Sequence, residues 1–405
     1  MSERLEIAGR ALERSLCNHC LGRLFATVSR GLSNVQRGTI VRFASDCGAP
    51  LAAPNDCTVC RGLFSEVQKF AEMAMSASAP YEHANFLVGT KIDPEVSEAE
   101  EQFWVDIGAR ETESIKSELN REIGKVVEAT IGKPAEFAKP DIVLLIDTMF
   151  DRVVVDVAPV FVYGRYRKHS RGIPQTHWPC RECRGKGCPR CAGKGVMYET
   201  SVQGLIGPVV MRHAGGDEEA FHGMGREDID ALMLGNGRPF VVEVSRPRKR
   251  SLDYKAIERE INDSAGGTVD VAEMRRSSRA EVRGIKNADY PKTYRVRVRF
   301  QADFDHRKLN DIVRVLDEKP ISQLTPHRVA HRRANLERTR IIHRVEIESA
   351  EALEAVLVIK AASGTYIKEL VHGDDGRTKP SVAEIVGVPC DVVELDVIRI
   401  GDKEA

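Results

Sequence analysis

Eight of the ten cysteines stand in four Cys-x-x-Cys pairs: Cys17/Cys20, Cys57/Cys60, Cys180/Cys183 and Cys188/Cys191. Two thiolates on one tight turn supply half of a tetrahedral shell, so each pair needs another beside it and the fold has to bring them together. The last two pairs form a direct tandem of Cys-x-x-Cys-x-Gly-x-Gly, Cys180 to Gly187 followed by Cys188 to Gly195. Its glycines allow the knuckle in which backbone N–H groups point at thiolate sulfur. The first two pairs lie farther apart, which is permissible because ligands need only meet in space; one shared ion is expected there as well. Zinc is the expected metal, and a structural one, because four thiolates leave no open coordination position. Cys47 and Cys390 stand outside the pairs and need be no more than small buried residues.

Thiols kept reduced for metal fit a cytoplasmic protein. No window approaches the roughly eighteen apolar residues of a membrane span, and Met1 to Leu16 lack an apolar signal core, so no membrane partner is expected. The 405 residues, 42% hydrophobic and 30% charged, suffice for two or three globular domains. Formal net charge is zero, but residues 245–340 hold 24 Lys and Arg against 14 Asp and Glu. A polyanion could therefore meet a basic face on a protein that is neutral as a whole, unless these are merely solvated surface charges.

The pattern of apolar spacing reads as α/β or α+β. Residues 1–61 read as a zinc module, 62–175 as a mixed domain, 176–200 as the tandem knuckles and 201–405 as a last domain of longer elements. Within 62–175, apolar spacing around Glu113 to Ala129 predicts a helix, and Ile142 to Ile146 and Val153 to Val155 predict buried strands. Pro159 to Lys168 interleaves aromatics with arginines, which suits RNA; the alternative is an edge strand leading into a linker. In Lys292 to Phe300, alternation puts Tyr294, Val296, Val298 and Phe300 on one face and Arg295, Arg297 and Arg299 on the other. Thr325 to Arg333 brings Arg328, Arg332 and Arg333 together in a cluster suited to phosphates.

Two stretches carry the candidate chemistry. Phe221 to Phe240 packs glycines, Arg226 and Asp228 together, with a second Gly-x-Gly close behind. Glycines let backbone approach a ligand, and an arginine beside an aspartate can orient a carboxylate in a pocket. The competing reading makes Asp228 the cap of a short helix over Ile229 to Leu234. The second stretch, Ser363 to Lys368, follows an apolar strand at Ala355 to Ile359 and reads as a loop presenting side chains at a sheet edge.

These residues carry a family resemblance. Gly225-Arg226-Glu227-Asp228 is similar to the Gly-Arg-x-Asp loop of pseudouridine synthases, and Gly364-Thr365-Tyr366-Ile367-Lys368 resembles that superfamily's Gly-Thr-Tyr-Ile-Arg loop. Tyr294 falls where its strand tyrosine stands. With the tandem knuckles and the two basic clusters, the chain resembles the archaeal-type tRNA pseudouridine synthases acting on uridines 54 and 55. The resemblance implies an α+β fold, with a C-terminal catalytic domain on a mixed, largely antiparallel sheet, and a zinc-containing, THUMP-like N-terminal region. It implies Asp228 as catalytic carboxylate, Tyr294 as active-site tyrosine and Lys368 as the basic partner, with Arg226, Tyr366, Arg328, Arg332 and Arg333 contacting substrate. The implied partner is the TΨC arm of tRNA, with no organic cofactor and no obligate protein partner. Lys368 stands where arginine is usual, so a point charge replaces a bidentate fork. A noncatalytic RNA-binding zinc protein, or a relative of the cysteine-rich chaperones, would leave Asp228, Tyr294 and Lys368 without a role.

Overall fold

The computed structural model describes residues 2–28, 31–45, 53–332 and 334–401. Cys47 and Arg333 lie outside them. The chain folds into two compact units, one of residues 1–158 with 246–251, the other of residues 159–245 with 252–405. The sequence pattern places the last boundary near residue 200, whereas residues 159–200 belong to the C-terminal unit, because strand Val160–Lys168 pairs with strand Leu232–Ser245.

The first unit builds a three-stranded sheet from β1 (Phe86–Lys91), β2 (Ile142–Asp147) and β3 (Arg152–Val157), with β1 parallel and β3 antiparallel to β2. Helix Ile115–Ile131 covers it, capped by the Ser114 side chain, which accepts from Ser117 N, and closed at left-handed Gly132. Its residues Ile115, Leu119, Ile123 and Val127 recur every fourth position and are all buried, in one core with Phe70, Phe86, Ile142 and Leu144.

The second unit is a ten-stranded sheet. Its strands are β4 (Val160–Lys168), β5 (Glu218–Gly223), β6 (Leu232–Ser245), β7 (Val269–Arg276), β8 (Lys292–Phe300), β9 (Lys319–Leu324), β10 (Glu337–Glu351), β11 (Glu354–Ala361), β12 (Thr378–Lys379) and β13 (Cys390–Ile400). The order is β12-β9-β10-β11-β8-β13-β6-β4-β7, with β5 also on β6. Among its described strand pairs only β13–β6 is parallel, so the sheet is mixed and largely antiparallel as expected. Among the described residues no helix is long and apolar enough to cross a membrane.

Three local expectations are corrected. β4 is not an edge strand, because it lies between β6 and β7, and Tyr163 and Tyr166 are buried rather than open for bases to stack on. Its Arg165 donates to the carbonyls of Asn236 and Gly237, and Arg167 pairs with Asp270. The β8 guanidinium stripe is matched carboxylate for guanidinium: Arg295 with Glu348 at 2.6 Å, Arg297 with Glu394 at 3.4 Å, Arg299 with Glu354 at 2.6 Å. Cross-strand pairing of this kind takes those arginines out of the basic excess available to a polyanion. The second Gly-x-Gly is inside β6 rather than in a loop; a Cβ at Gly235 would fall 1.8 Å from the Ile398 carbonyl of β13, so only glycine fits the crossing.

Candidate active site

Asp228 stands on the turn between β5 and β6, and Lys368 lies in the first turn of helix Ile367–His372 that follows β11. Asp228 Oδ2 is 3.5 Å from Lys368 Nζ and Oδ1 is 3.8 Å from Arg328 Nη1. These are ion-pair distances, longer than hydrogen bonds. The short bonds of both cations go elsewhere: Lys368 donates to Asp230 Oδ2 at 2.9 Å and Oδ1 at 3.3 Å, and Arg328 Nε donates to buried Glu369 at 2.6 Å. Asp228 is thus flanked by positive charge, its carboxylate oxygens accept no hydrogen bond among the described residues, and its side chain is 40% exposed. It caps no helix, because β6 begins at Leu232.

The helix that carries Lys368 is held by an amide clamp. Buried Gln323 on β9 accepts from Tyr366 N at 2.9 Å and donates to Tyr366 O at 3.0 Å. The Arg328 guanidinium lies 5.8 Å from the Tyr366 ring centroid, within cation–π range. Tyr294 is the third residue of β8, between Ile359 of β11 and Val397 of β13. Burial pushes its hydroxyl up to about 12, with the Arg238 charge opposing and the Asp228 charge adding. At neutral pH it is a neutral phenol, with a ring face and a hydroxyl to offer.

A buried polar layer fixes the Asp228 turn from below, and most of it escapes sequence reasoning. Lys168, fully buried, aims its ammonium at three carbonyls: Ile173 O and Ile229 O at 3.0 Å and Asp228 O at 3.3 Å. Burial lowers its pKa, with the charges of Glu227 and Asp230 acting the other way. Next to Asp228, buried Glu227 accepts from the Tyr166 hydroxyl at 2.8 and 2.9 Å, and its Oε2 lies 2.9 Å from Arg238 Nε. Arg238 Nη1 also donates to Met224 O, and Gln175 donates to Gly225 O and to the Tyr166 hydroxyl. The available signal was alternation: Lys168 shares a strand face with Tyr166 and Val162, and Arg238 shares one with Phe240 and Val242. An inward lysine or arginine in such a row persists only where carbonyls or carboxylates meet it.

Lys292, at the start of β8, contrasts with these. Among the described residues its side chain makes one hydrogen bond, to Ser363 Oγ at 3.3 Å. Burial lowers its pKa to about 8, Arg238 pushing the same way and Asp289 opposing. The folded protein therefore releases this proton before the unfolded chain does, and stability should rise with pH from about 8 to about 10.4, on the order of 2–3 kcal/mol. Because other groups titrate in that window, the check is a difference. Lys292→Met should be the more stable protein at pH 7 in urea unfolding, with the gap closing as pH approaches about 10.

Comparison with known proteins decides the family. Residues 161–401 match the model described as "Pus10, C-terminal", and residues 70–147 match "Pus10 THUMP domain, archaeal". The chain belongs to the Pus10 family. It is 41% identical to "tRNA pseudouridine synthase Pus10" of Halorubrum lacusprofundi, over 99% of this chain and 97% of that one. The protein of the same name from Methanothermobacter marburgensis is 40% identical over 99% of both chains. As a member of the family the chain is an isomerase, a pseudouridine synthase, and it contains a THUMP domain. Among solved structures, a chain from "Crystal Structure of a Cbf5-Nop10-Gar1 Complex" is 15% identical, with a TM-score of 0.32 over 49% of this chain and 45% of that one.

The remaining sites expected of a Pus10 chain divide as follows. Arg226 has its guanidinium 4.8 Å from the Trp178 ring centroid rather than beside Asp228. Arg332 ends the 3-10 turn His327–Arg332, and its side chain, like all of Arg333, lies outside the described residues. The cysteines meet in two groups, Cys17/Cys20/Cys57/Cys60 and Cys180/Cys183/Cys188/Cys191, with all sulfurs of a group within 4.8 Å of one another. Sγ···Sγ separations of 3.7 Å (Cys17–Cys60, Cys180–Cys188) and 3.8 Å (Cys183–Cys191, Cys188–Cys191) are those of a tetrahedron with metal–sulfur bonds of about 2.3 Å. Backbone N–H groups of Gly187, Cys188 and Gly195 donate to sulfur at 3.1–3.2 Å, an arrangement that favours thiolates.

Proposed function

We propose that this enzyme isomerises uridine 54, uridine 55 or both in the TΨC arm of tRNA, with Asp228 as the reacting carboxylate. The observation that carries the reading is the setting of Asp228: two cations at ion-pair distance, no hydrogen bond to its oxygens among the described residues, and a backbone pinned by buried Lys168. A carboxylate tied up by short hydrogen bonds would be a poor nucleophile or base; one steadied by charge alone keeps its lone pairs for the ribose.

In the reaction the N1–C1′ bond of uridine breaks, the uracil turns, C5 bonds to C1′, the proton leaves C5 and N1 takes up a proton. The base has to leave its stack to be handled this way. Asp228 serves either as nucleophile at C1′ or as base on the ribose, and both roles use the same exposed oxygens. Neutral Tyr294 offers a ring face or a hydroxyl to the turning base. Lys368 and Arg328 hold the negative charge in place, and Arg328 with Tyr366 offers a guanidinium and a ring toward RNA. Incubating the purified protein with an unmodified tRNA transcript and mapping pseudouridine by nucleotide tests the reading. It is expected at 54 or 55; modification at other positions alone, or none, overturns it.

Zinc in both cysteine groups belongs to the same proposal. Bound by four thiolates it supplies local folding free energy, apparent values being about 10–16 kcal/mol in small zinc modules, and nothing to the chemistry at uridine. The double substitution Cys188→Ser, Cys191→Ser should lower bound zinc from two equivalents to one by metal analysis. An unchanged two equivalents would contradict the second site.

A further inference from the structure

The tandem knuckle is a finger of the C-terminal unit. Its base is a short antiparallel ladder in which Pro179 bridges Val196, Cys180 N donates to Gly195 O at 2.7 Å and Met197 N to Trp178 O at 2.9 Å. Its two turns pack backbone to backbone. A Cβ at Gly187 would be 2.7 Å from Gly193 O, and one at Gly195 would be 2.4 Å from Gly185 O. The side chains between them are mostly exposed, and none belongs to an apolar core of the described residues.

Residues 180–195 contain five basic residues and one acidic residue. Lys194 is paired with Glu199. Arg181, Arg184, Lys186 and Arg190 are exposed, and among the described residues none of their side chains has a hydrogen bond or ion pair. The β8 arginines, each matched by a glutamate, are the opposite case. Four exposed cations on one short loop without a core leave a local positive surface that matches a polyanion. The finger is also tied to the active site. Trp178 in its base stacks edge-on with Tyr198, ring centroids 5.6 Å apart, and carries Arg226 of the Asp228 turn over its face.

We propose that the Cys180–Cys191 finger is a second RNA-backbone contact, in which Arg181, Arg184, Lys186 and Arg190 hold phosphates of the bound tRNA beside the Asp228 turn. The inference rests on the tRNA reading above. Guanidinium and ammonium groups without base-reading geometry match phosphates, so the contact contributes affinity and position rather than sequence choice.

The test replaces all four residues by alanine in the full-length, zinc-loaded protein and measures tRNA affinity against salt. The slope of log K against log salt should become shallower by about 3, each of the four lost phosphate contacts being worth roughly 0.7–0.9. Affinity at low salt should fall about tenfold or more. Replacing the three arginines by lysine should restore most of the slope. An unchanged slope and affinity with zinc retained overturn the proposal. Should the alanine variant lose zinc, footprinting of wild type decides: tRNA should protect Lys186 from amine-modifying reagent, and full reactivity in the complex overturns the proposal. If wild type neither binds nor modifies tRNA, it is the functional reading that fails; if it modifies tRNA while the finger stays unprotected, only this inference does.

Discussion

Asp228→Asn is expected to lower pseudouridine formation by about a thousand-fold or more while tRNA affinity changes little. Asparagine keeps the size of the side chain and one oxygen, and it removes the charge that Lys368 at 3.5 Å and Arg328 at 3.8 Å surround. Folding should survive. The Lys168 bond at this residue is to the backbone carbonyl, and the buried ion pair below belongs to Glu227 and Arg238. Affinity should survive as well, because phosphate contacts dominate it and lie on other residues. Equilibrium binding and zinc content of the variant check both points independently of chemistry.

Lys368→Met should cost about a hundred-fold in kcat and move the acid limb of the rate profile to higher pH. The ammonium stands between two carboxylates, 2.9 Å from Asp230 and 3.5 Å from Asp228, and without it they face each other across the gap it leaves. Burial works to raise the Asp230 carboxyl, but hydrogen bonding and charge from Lys368 outweigh it and hold the pKa below the ordinary range. Removing Lys368 leaves burial and repulsion, both of which favour the protonated acid. The sign for stability follows. What the depressed Asp230 contributes is present above the ordinary carboxylate pKa of about 3.9 and is lost as pH falls through its folded value, so the stability gap between wild type and variant narrows in acid. Lys368→Arg should fall between the two, keeping charge while changing donor geometry. Rate–pH profiles of the three proteins measure this.

What could be read in the sequence depended on whether the cause was local. The cysteine spacing, the helix at Ile115–Ile131 and the strands at 142–147 and 152–157 are dictated by neighbours a few residues away, and they stand close to where the pattern put them, although the Val153–Val155 run expected to be buried lies on an edge strand with Val154 46% exposed. The α+β class and the mixed sheet followed from the family resemblance and hold. The Gly225–Asp228 and Gly364–Lys368 motifs pointed to two loops, and the fold brings Asp228, Lys368 and Arg328 together from positions up to 140 residues apart. What was not legible is what depends on partners distant in sequence. Nothing near Arg295, Arg297 or Arg299 announces that Glu348, Glu394 and Glu354 will face them across strands. Nothing near Lys168 announces the Asp228 and Ile229 carbonyls some 60 residues on. Charge density along the chain overstates the free charge on the folded surface wherever a sheet pairs it internally, as it does on β8.

The account stands or falls on chemistry at Asp228. The most direct measurement is the single-turnover rate constant for pseudouridine formation at position 54 or 55 of an unmodified tRNA transcript, with enzyme in saturating excess, for wild type and Asp228→Asn. Saturation removes binding and product release from the comparison. The account predicts that the rate constant falls by about a thousand-fold or more while the complex forms fully. A variant that folds, binds and modifies uridine at close to the wild-type rate would contradict it.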